Sequence, residues 1–464
     1  MIKIKKEKTI KYICFILFFT AVLSLFPVNI ANAAELPVIQ SETYVLMDGE
    51  TGQVLLEKNM NVQMYPASIT KVMTALLALE RGNLSDIITM SRNAVYSIGR
   101  GTSHIALDET ERLTLEQALY GLAIESANDA ANGIAELIGG SMPDFAKMMT
   151  AKAKELGALN TNFANAHGLH DVSHYTSAYD MALILSAAVK FPEFQKMFTA
   201  VKYEMPPTNI QPETRYFNRK NSLVAGPNKY EGLIAEKTGW TSDSGFTYVA
   251  AATRSGRTLV AVVMRSPSEA IRWADTTALL DYGFNEFTQV SYNAADFAKE
   301  KYVVEFTDGS KADMKLIPDG NFNCLILKSL SKEDIEVKYT LSVDGINDKM
   351  DGKAIFSLKQ GVSVLMYNGL GKSDLKISLN SSSAGLPVNN VFSNTGGQEQ
   401  NQDGEKKTSA FSVISKIFSV ILQIIGIVTV IYGILYLRKY IIVERRKKLQ
   451  AAHKQKNMQR MRRL

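Results

Sequence analysis

Three short motifs in a fixed order constrain this chain more than any other feature of its sequence. They are Ser68-Ile69-Thr70-Lys71, Ser126-Ala127-Asn128 and Lys237-Thr238-Gly239. Together they supply a hydroxyl nucleophile, two amines, a second hydroxyl and a side-chain amide, the residue types of an acyl-transfer site that needs neither histidine nor metal. Each motif alone is common by chance. The ordered trio predicts a fold that brings three distant segments to one pocket.

The first motif predicts an activated serine. Residues three apart share a helix face, so Ser68 and Lys71 can touch if a helix begins near Ser68. The start of that helix would also point free backbone N–H groups towards a developing oxyanion. A lysine with a pKa of about 10.4 is protonated at neutral pH, but burial or a nearby second ammonium such as Lys237 favours the neutral form. We therefore predict Ser68 as nucleophile and Lys71 as general base.

The second and third motifs predict the groups that surround the reacting bond. Ser126 is predicted to relay a proton between the two amines, and Asn128 offers a donor and an acceptor to a substrate amide. Gly239, on a predicted edge strand, would let a substrate backbone approach closely. Thr238 is predicted to bind a carboxylate, and the N–H of Trp240 to complete an oxyanion hole.

The hydrophobic patterning predicts an α+β fold, in which strands from both ends of the catalytic region enclose a block of helices. Apolar alternation predicts strands at 43–48, 53–57, 246–253 and 258–264. Helical periodicity and a Thr114/Gln117 capping box predict helices from near Ser68 and at 114–123, 129–138, 142–156, 176–189 and 271–280. The antiparallel connections argue against a nucleotide-binding α/β sheet.

The N-terminus is predicted to be an export signal. Five lysines precede an apolar run at 12–26, and a small-residue site, Ala31-Asn32-Ala33, follows it. This order is typical of a signal peptide, which we place at residues 1–33. Cys14 lies within this segment, which leaves Cys324 as the one cysteine of the exported part. We predict no intrachain disulfide and interpret Cys324 as a packed thiol.

The C-terminus is predicted to anchor the chain in a membrane. The uncharged run at 417–437 would span about 31 Å as a helix, enough to cross a bilayer core. We place the transmembrane helix at 411–437 and a basic cytoplasmic tail at 438–464, because lysine and arginine favour retention inside the cell. The body of the protein would then lie outside it.

Charge is distributed unevenly along the chain. The net charge is +6, of which residues 1–11 carry +4 and residues 438–464 carry +10. The segment between them therefore carries −8, so the basic character belongs to the ends and a nucleic-acid partner is not expected. Within that segment we predict a catalytic domain at 34–290, a small β-rich domain at 291–379 and a flexible, Ser/Asn/Gly/Gln-rich linker at 380–410.

The motif residues resemble those of the serine D-alanyl-D-alanine carboxypeptidases, which are low-molecular-mass penicillin-binding proteins. The resemblance runs over about residues 42–287, with a weaker similarity through the β-rich region. It includes further segments with family character: His167-Gly168-Leu169, Ser177-Ala178-Tyr179-Asp180-Met181-Ala182 and Leu279-Leu280-Asp281-Tyr282-Gly283-Phe284. It implies a β-lactamase/transpeptidase-like catalytic domain that uses no cofactor or metal.

The resemblance also implies an activity, its partners and a role for each matched residue. The enzyme would remove the terminal D-alanine from peptidoglycan stem pentapeptides, and β-lactams would acylate it. Its residues would act as follows: Ser68 forms the acyl-enzyme, Lys71 is its base, Ser126 and Asn128 serve proton transfer and substrate positioning, Lys237 and Thr238 hold the terminal carboxylate, and Arg272 supports that carboxylate. Arg265 is a nearby competitor for the last role.

Three other readings remain open from sequence. A zinc peptidase is suggested by His167, His170 and His174, although no His-Glu-x-x-His helix is present. A β-lactamase would share the three motifs, but we find no Glu-x-x-x-Asn segment after Ser126 for fast deacylation. A non-enzymatic receptor for wall peptides would tolerate replacement of Ser68, which an enzyme would not.

Overall fold

The computed structural model describes residues 36–99, 101–221, 223–226, 228–293 and 321–332, the backbone of the strands between 302 and 379, and helical residues between 438 and 452. It divides the chain into one unit at 32–394 and another formed by the first 31 residues and 395–464. The predicted signal peptide, linker and membrane helix lie outside the described residues. Within the described residues, no helix is both long and apolar enough to cross a membrane.

The described helices agree closely with the predicted block. They are α1 (Lys71–Arg81), α2 (Arg92–Tyr96), α3 (Leu115–Tyr120), α4 (Asn128–Gly139), α5 (Met142–Glu155), α6 (Ala178–Ala188), α7 (Pro192–Phe198) and α8 (Glu269–Glu286). Local signals begin several of them. The capping box of Thr114 and Gln117 is present at α3, and Ser177 accepts a hydrogen bond from the Asp180 N–H at α6.

The described strands number eighteen, and the predicted strands of the catalytic region are all among them. They are β1 (Thr43–Asp48), β2 (Val54–Lys58), β3 (Ile87–Thr89), β4 (Arg112–Thr114), β5 (Lys202–Met205), β6 (Arg215–Asn218), β7 (Leu233–Thr241), β8 (Gly245–Arg254), β9 (Arg257–Ser266), β10 (Phe287–Asn293), β11 (Tyr302–Glu305), β12 (Lys311–Met314), β13 (Leu316–Pro318), β14 (Asn321–Leu327), β15 (Ile335–Val343), β16 (Met350–Gln360), β17 (Leu365–Tyr367) and β18 (Ser373–Leu379). Strand β2 is shifted by one residue from its prediction.

A five-stranded antiparallel sheet organises the catalytic region. Its strand order is β2-β1-β9-β8-β7, so β7 forms one edge. Alternate side chains of a strand face opposite sides. Val45 and Val262 accordingly pack in the core that contains α1 and α6, whereas Leu46 and Ala261 pack in the core that contains α8. The α+β prediction is confirmed, with helices on both faces of the sheet.

One helix boundary differs from its prediction in a way that shapes the site. The helix expected at 114–123 ends at Tyr120, and a short π-helix, Gly121–Glu125, follows it. This wider turn closes with Ser126 in the left-handed conformation, at φ 58° and ψ 35°. Such a conformation strains a residue other than glycine and is often found at functional positions. The second motif therefore begins at a residue in this strained conformation.

Within 291–379, the described residues form antiparallel strands. Strand β10 pairs with β14, β11 with β12, and β13, β18, β16 and β15 form one sheet. The side chain of Gln53 holds the backbone of Leu325 from both sides, with hydrogen bonds of 2.7 and 2.8 Å. Cys324 is buried beside this contact, as expected for a packed thiol. That these strands form a separate domain stays a prediction.

Candidate active site

The nucleophile candidate lies at the entry to α1. A single 3₁₀ turn, Ala67–Thr70, leads directly into that helix. Ala67, Ile69 and Thr70 are buried, whereas Ser68 is only half-buried. Their burial fixes the turn in the core, and the Ser68 hydroxyl stays within reach of a ligand. The predicted helix start near Ser68 is confirmed.

The amine of Lys71 contacts three oxygen atoms. Its Nζ lies 3.0 Å from Ser68 Oγ, 2.7 Å from Asn128 Oδ1 and 2.6 Å from the His167 carbonyl oxygen. A neutral amine has two N–H donors and one lone pair. The amide and carbonyl oxygens accept only, so they take both donors and leave the lone pair facing the Ser68 hydroxyl, which can donate to it. This geometry suits the removal of a proton from Ser68.

The surroundings of Lys71 favour its neutral form. The side chain is completely buried. Burial lowers the pKa of Lys71 well below its usual value, the Lys237 ammonium lowers it further, and Asp129 opposes both. A lysine that has lost its proton at neutral pH can serve as a general base.

The Lys71 pocket is closed by a loop that only glycine permits. Gly168 follows the carbonyl of His167 and adopts φ +87°. A methyl group built on Gly168 would overlap the carbonyl of Ala67, one residue before the nucleophile, and would lie 2.9 Å from Thr70 Oγ1. The loop therefore packs directly against the turn that carries Ser68.

Replacing Gly168 with alanine should disturb both the fold and the site. The left-handed backbone and the overlap with Ala67 should destabilise the protein by about 2–4 kcal/mol. The displaced turn should lower kcat/KM by at least about tenfold. Thermal unfolding and steady-state assays would measure these effects. Gly101→Ala is a control for left-handed strain alone, because Gly101 is also at positive φ but a methyl group added there would meet no atom of the described residues within 4 Å. Equal effects from the two substitutions would contradict this account of packing.

The second motif places Asn128 firmly but leaves one hydroxyl unpaired. The Asn128 N–H donates to Ser103 O at 2.9 Å, while its side-chain oxygen accepts from Lys71. Asn128 thus orients the base, a role that sequence reasoning did not include. Ser126 Oγ is buried and has no hydrogen-bond partner among the described residues. It does not bridge the two amines in this geometry, so the proton relay through Ser126 stays a prediction.

Asp129 supports this motif from the next position. Its buried carboxylate accepts the backbone N–H groups of Ile105 and Leu107 at 3.0–3.2 Å. These bonds fasten the loop before β4 to the start of α4. The sequence offered only the position of Asp129 in the first turn of a helix as a signal.

The third motif lies on edge strand β7, beside the first. Gly239 is the contact point: a methyl group there would lie 3.0 Å from Ser68 N and 3.0 Å from Pro66 O. Thr247, on the neighbouring strand, also donates to Pro66 O at 2.8 Å. A side chain at position 239 would push β7 away from the nucleophile. The predicted edge position is confirmed, and the close approach of a substrate backbone at Gly239 stays a prediction.

Lys237 is the second buried amine of the site. Its Nζ donates to Thr238 O at 3.0 Å. Burial lowers the pKa of Lys237 to about 8, Glu236 opposes this change, and Arg219 and Arg272 add to it. Lys237 is therefore mainly cationic at neutral pH, whereas burial and the Lys237 charge shift the pKa of Lys71 well downward and favour its neutral form. The two amines are suited to different tasks.

The structure distinguishes between the two arginine candidates. Arg272 is buried and donates to Gly239 O at 3.3 Å and to Glu269 Oε1 at 2.7 Å. Arg265 is exposed and pairs with Glu42. Arg272, not Arg265, therefore contacts the third motif. The indole of Trp240 is 59% exposed beside this strand; the oxyanion role of its N–H stays a prediction.

A cavity of about 200 Å³ lies beside the second and third motifs, and neither Ser68 nor Lys71 is among its lining residues. It is lined by Ser126, Lys237, Thr238, Arg272 and Trp273, together with residues of the segment after β6. Three of its lining residues have a buried polar atom without a hydrogen-bond partner in the described part of the chain, namely Ser126 Oγ, Arg272 Nε and Trp273 Nε1. Unpaired buried donors beside a buried cation favour an anionic ligand with several acceptor oxygens, such as a carboxylate.

The histidines proposed as metal ligands make other contacts. His174 Nε2 lies 2.8 Å from Thr70 Oγ1, and its Nδ1 accepts the Ala164 N–H. Burial lowers the pKa of His167 to about 3 and that of His174 to about 4, so both are neutral. His170 packs edge-on against Tyr65. Within the described residues, no group of three His, Cys, Asp or Glu side chains is placed to hold a metal ion.

These protonation states predict a bell-shaped dependence of kcat/KM on pH. Activity should rise as Lys71 loses its proton and fall above about pH 8, where Lys237 loses the charge that attracts a carboxylate. The neutral histidines should contribute neither limb. Steady-state rates across the pH range would measure this, and a profile still rising near pH 10 would contradict the assignment of Lys237.

Comparison with known proteins identifies the family. The model of the D-alanyl-D-alanine carboxypeptidase family matches residues 30–268. The carboxypeptidase DacF of Bacillus subtilis is 36% identical over 253 residues, which cover 53% of this chain and 63% of that protein. DacA of Haemophilus influenzae is 32% identical, with 60% and 70% covered.

The fold comparison agrees with the sequence comparison. The crystal structure of penicillin-binding protein 5 from Haemophilus influenzae has a TM-score of 0.56 and 27% identity, and the match covers 75% of this chain and all of that one. The family model spans all three motifs and the sheet strand β7 on which the third is carried. The chain therefore belongs to the D-alanyl-D-alanine carboxypeptidase family of serine hydrolases.

Proposed function

We propose that this protein removes the terminal D-alanine from peptidoglycan stem pentapeptides through an acyl-enzyme on Ser68. One observation carries the proposal: the Lys71 amine lies 3.0 Å from Ser68 Oγ while two other oxygens take its N–H donors. Family membership supplies the substrate class. The cavity beside β7, with its unpaired donors, suits the free carboxylate of a peptide ending in D-alanine.

The reaction proceeds in two steps that restore the enzyme. Ser68 Oγ attacks the carbonyl carbon of the penultimate D-alanine as its proton passes to Lys71 Nζ. The tetrahedral intermediate collapses, the C–N bond breaks, and the released amine takes a proton from Lys71. Ser126 is proposed to relay this proton. Water then attacks the acyl-enzyme ester and frees Ser68. The Ser68 and Trp240 N–H groups are proposed to stabilise both oxyanions.

The same site is proposed to react with β-lactams, and the protein to act in cell-wall biogenesis and remodelling. A β-lactam presents a strained amide and a carboxylate to the positions that the dipeptide would occupy. Lys237, Thr238 and Arg272 would bind the carboxylate in both cases. We further propose an exported catalytic region held at the cell membrane by the segment at 411–437, which matches a substrate outside the cell.

Release of D-alanine from an acylated Lys-D-Ala-D-Ala peptide tests the proposal directly. The protein should release one D-alanine per peptide and leave the corresponding L-Ala-L-Ala peptide intact. Activity should persist in EDTA, because no step uses a metal, and penicillin should be turned over slowly. Absence of D-alanine release would overturn the proposal; rapid penicillin hydrolysis would favour a β-lactamase, and binding without release would favour a receptor.

A further inference from the structure

A buried carboxylate lies directly before the third motif. Glu236 is 2% exposed, and its two oxygens are held by Arg219, through an ion pair, and by Asn221 Nδ2 at 2.5 Å. Burying a charged group is unfavourable even when it is paired, and an apolar pair of similar volume is often at least as stable. Stability alone therefore gives little reason for a charge at this position.

The partners of Glu236 are themselves fixed. Arg219 Nε donates to Ala200 O at 2.7 Å and its Nη2 to Met197 O at 3.0 Å, both at the end of α7. Asn221 also donates to Tyr248 Oη on β8 at 3.0 Å. Every nitrogen of the Arg219 guanidinium is thus engaged within the protein. The carboxylate is held rigidly, and Arg219 is not available to a ligand.

The strand geometry places Glu236 behind Lys237. Glu236 pairs in register with Ala250, whose side chain lies in the core with α8, and Lys237 pairs with Val249, whose side chain lies in the core with α1. Adjacent strand residues point their side chains to opposite sides, and both oxygens of Glu236 are already held by Arg219 and Asn221. The carboxylate therefore does not cap the ammonium, although both residues line the cavity. The Glu236 carboxylate can still stabilise the charge of the Lys237 ammonium across the strand backbone, because buried surroundings screen charges weakly.

We propose that Glu236 is a positioning residue, held by Arg219 and Asn221. It keeps Lys237 protonated without forming an ion pair with it, so that the Lys237 ammonium is free to bind the terminal carboxylate of the substrate. The inference rests on the proposed function and deepens it. A carboxylate paired directly with Lys237 would also stabilise the ammonium, but it would occupy the N–H donors that the substrate carboxylate needs. A carboxylate that does not contact the ammonium can stabilise its charge and leave those donors free.

The charges around Lys237 determine the sign of the effect. Three other cations lie near Lys237. Lys71 begins α1, Arg272 lies on α8 and is paired with Glu269, and Arg219 follows β6 and is paired with Glu236. Tyr248 is neutral because burial raises its pKa well above the usual value, and Lys220 and Glu125 line the rim of the cavity. Burial lowers the pKa of Lys237, Glu236 raises it, and Arg219 and Arg272 lower it further. Removing the Glu236 charge should make Lys237 lose its proton at lower pH.

The substitution Glu236→Gln tests this sign. The alkaline limb of kcat/KM for the D-Ala-D-Ala peptide should move down by about one pH unit. At pH values between the alkaline limb of the variant and that of the wild type, the KM of the variant should be up to about tenfold higher, with little change in kcat. The same peptide with its terminal carboxylate converted to an amide should be insensitive, because it has no charge for Lys237 to bind. Titration of the ¹³C-labelled lysine side chains by NMR would follow Lys237 without depending on activity.

Glu111→Gln is the matched control. Glu111 is equally buried and pairs with Arg215 at 2.7 and 3.1 Å, but it makes no described contact with the third motif. It should lower the thermal unfolding temperature and leave the alkaline limb unchanged. If Glu236→Gln proves too unstable, the double variant Arg219→Gln/Glu236→Gln removes both charges of this ion pair, so neither partner is left unpaired. It should still shift the alkaline limb downward, by a smaller amount.

Two results separate this inference from the proposed function. If the wild-type protein releases D-alanine but Glu236→Gln behaves like Glu111→Gln, losing stability with its pH profile and its lysine titration unchanged, then Glu236 is structural and the inference is wrong. If the wild-type protein releases no D-alanine, the proposed function is wrong. A downward shift of the Lys237 titration in Glu236→Gln supports the inference in either case.

Discussion

Replacing Ser68 with alanine is expected to lower kcat/KM for D-alanine release by about 10⁴-fold or more. Catalysis by a covalent route requires this one oxygen atom, and the groups that remain can only bind and polarise the substrate. The substitution removes a single oxygen from a half-buried position, so the thermal unfolding temperature should change little. Substrate binding, measured on the inactive variant, should persist, because the groups around the cavity are untouched.

Ser186→Ala provides the matched control for this substitution. Ser186 is half-buried like Ser68, but its Oγ has no hydrogen-bond partner among the described residues and it lies on α6, away from the three motifs. Its removal should leave kcat/KM within a factor of about two. A Ser68→Ala protein that retained more than about 1% of wild-type activity would contradict the covalent mechanism and return the receptor interpretation to consideration.

Replacing Lys71 with methionine is expected to lower kcat/KM by about 10³-fold while the protein still folds. Methionine has a similar length and no desolvation penalty, although the oxygens of Asn128 and His167 lose a donor. These two effects oppose one another, so the unfolding temperature should stay within a few degrees of the wild type. Loss of activity without loss of structure would identify the amine as the base.

The exposed Lys147 offers the control for the lysine substitution. It pairs with Asp144 on α5 and lies at the surface, so Lys147→Met should change neither activity nor stability by a measurable amount. Both variants should also be tested for acylation by a fluorescent penicillin, since the same proton transfer precedes that reaction. Acylation of Lys71→Met at the wild-type rate would show that another group activates Ser68.

Much of the fold follows from local sequence signals. The sheet strands from both ends of the catalytic region carry the alternation expected of half-buried strands, and the hairpin between β8 and β9 turns at Ser255 and Gly256, both at positive φ. Helix starts at Thr114 and Ser177 are fixed by their own side chains. Such signals act within a few residues, which is why sequence reasoning detects them.

Elements that depend on distant partners were missed or truncated. The helix expected at 271–280 runs from Glu269 to Glu286, because Gly283, usually unfavourable in a helix, packs closely against Leu46 and Leu259. The β5–β6 hairpin was also not predicted. Its Arg215 pairs with Glu111, more than a hundred residues earlier. No local pattern contains this information.

The same division holds at the candidate site. The sequence identified the residues of the three motifs and Arg272. The structure places Lys71 beside Ser68 and Asn128, packs Gly239 against the turn that carries Ser68, and lines a neighbouring cavity with Ser126, Lys237, Thr238 and Arg272. The sequence did not reveal that Asn128 and the His167 carbonyl take the two N–H donors of Lys71, since these partners lie 57 and 96 residues away along the chain. It also did not reveal Glu236, which looked like an ordinary strand residue until its burial was known.

The central claim is that Ser68 becomes covalently acylated with the neutral Lys71 as its base. Incubation with benzylpenicillin followed by intact-protein and peptide mass spectrometry tests this claim most directly. We predict one adduct per protein molecule, located on the peptide that contains Ser68, formed at least about 10³-fold more slowly in Lys71→Met and absent in Ser68→Ala. An adduct on any other residue, or none on the folded wild-type protein, would contradict the account.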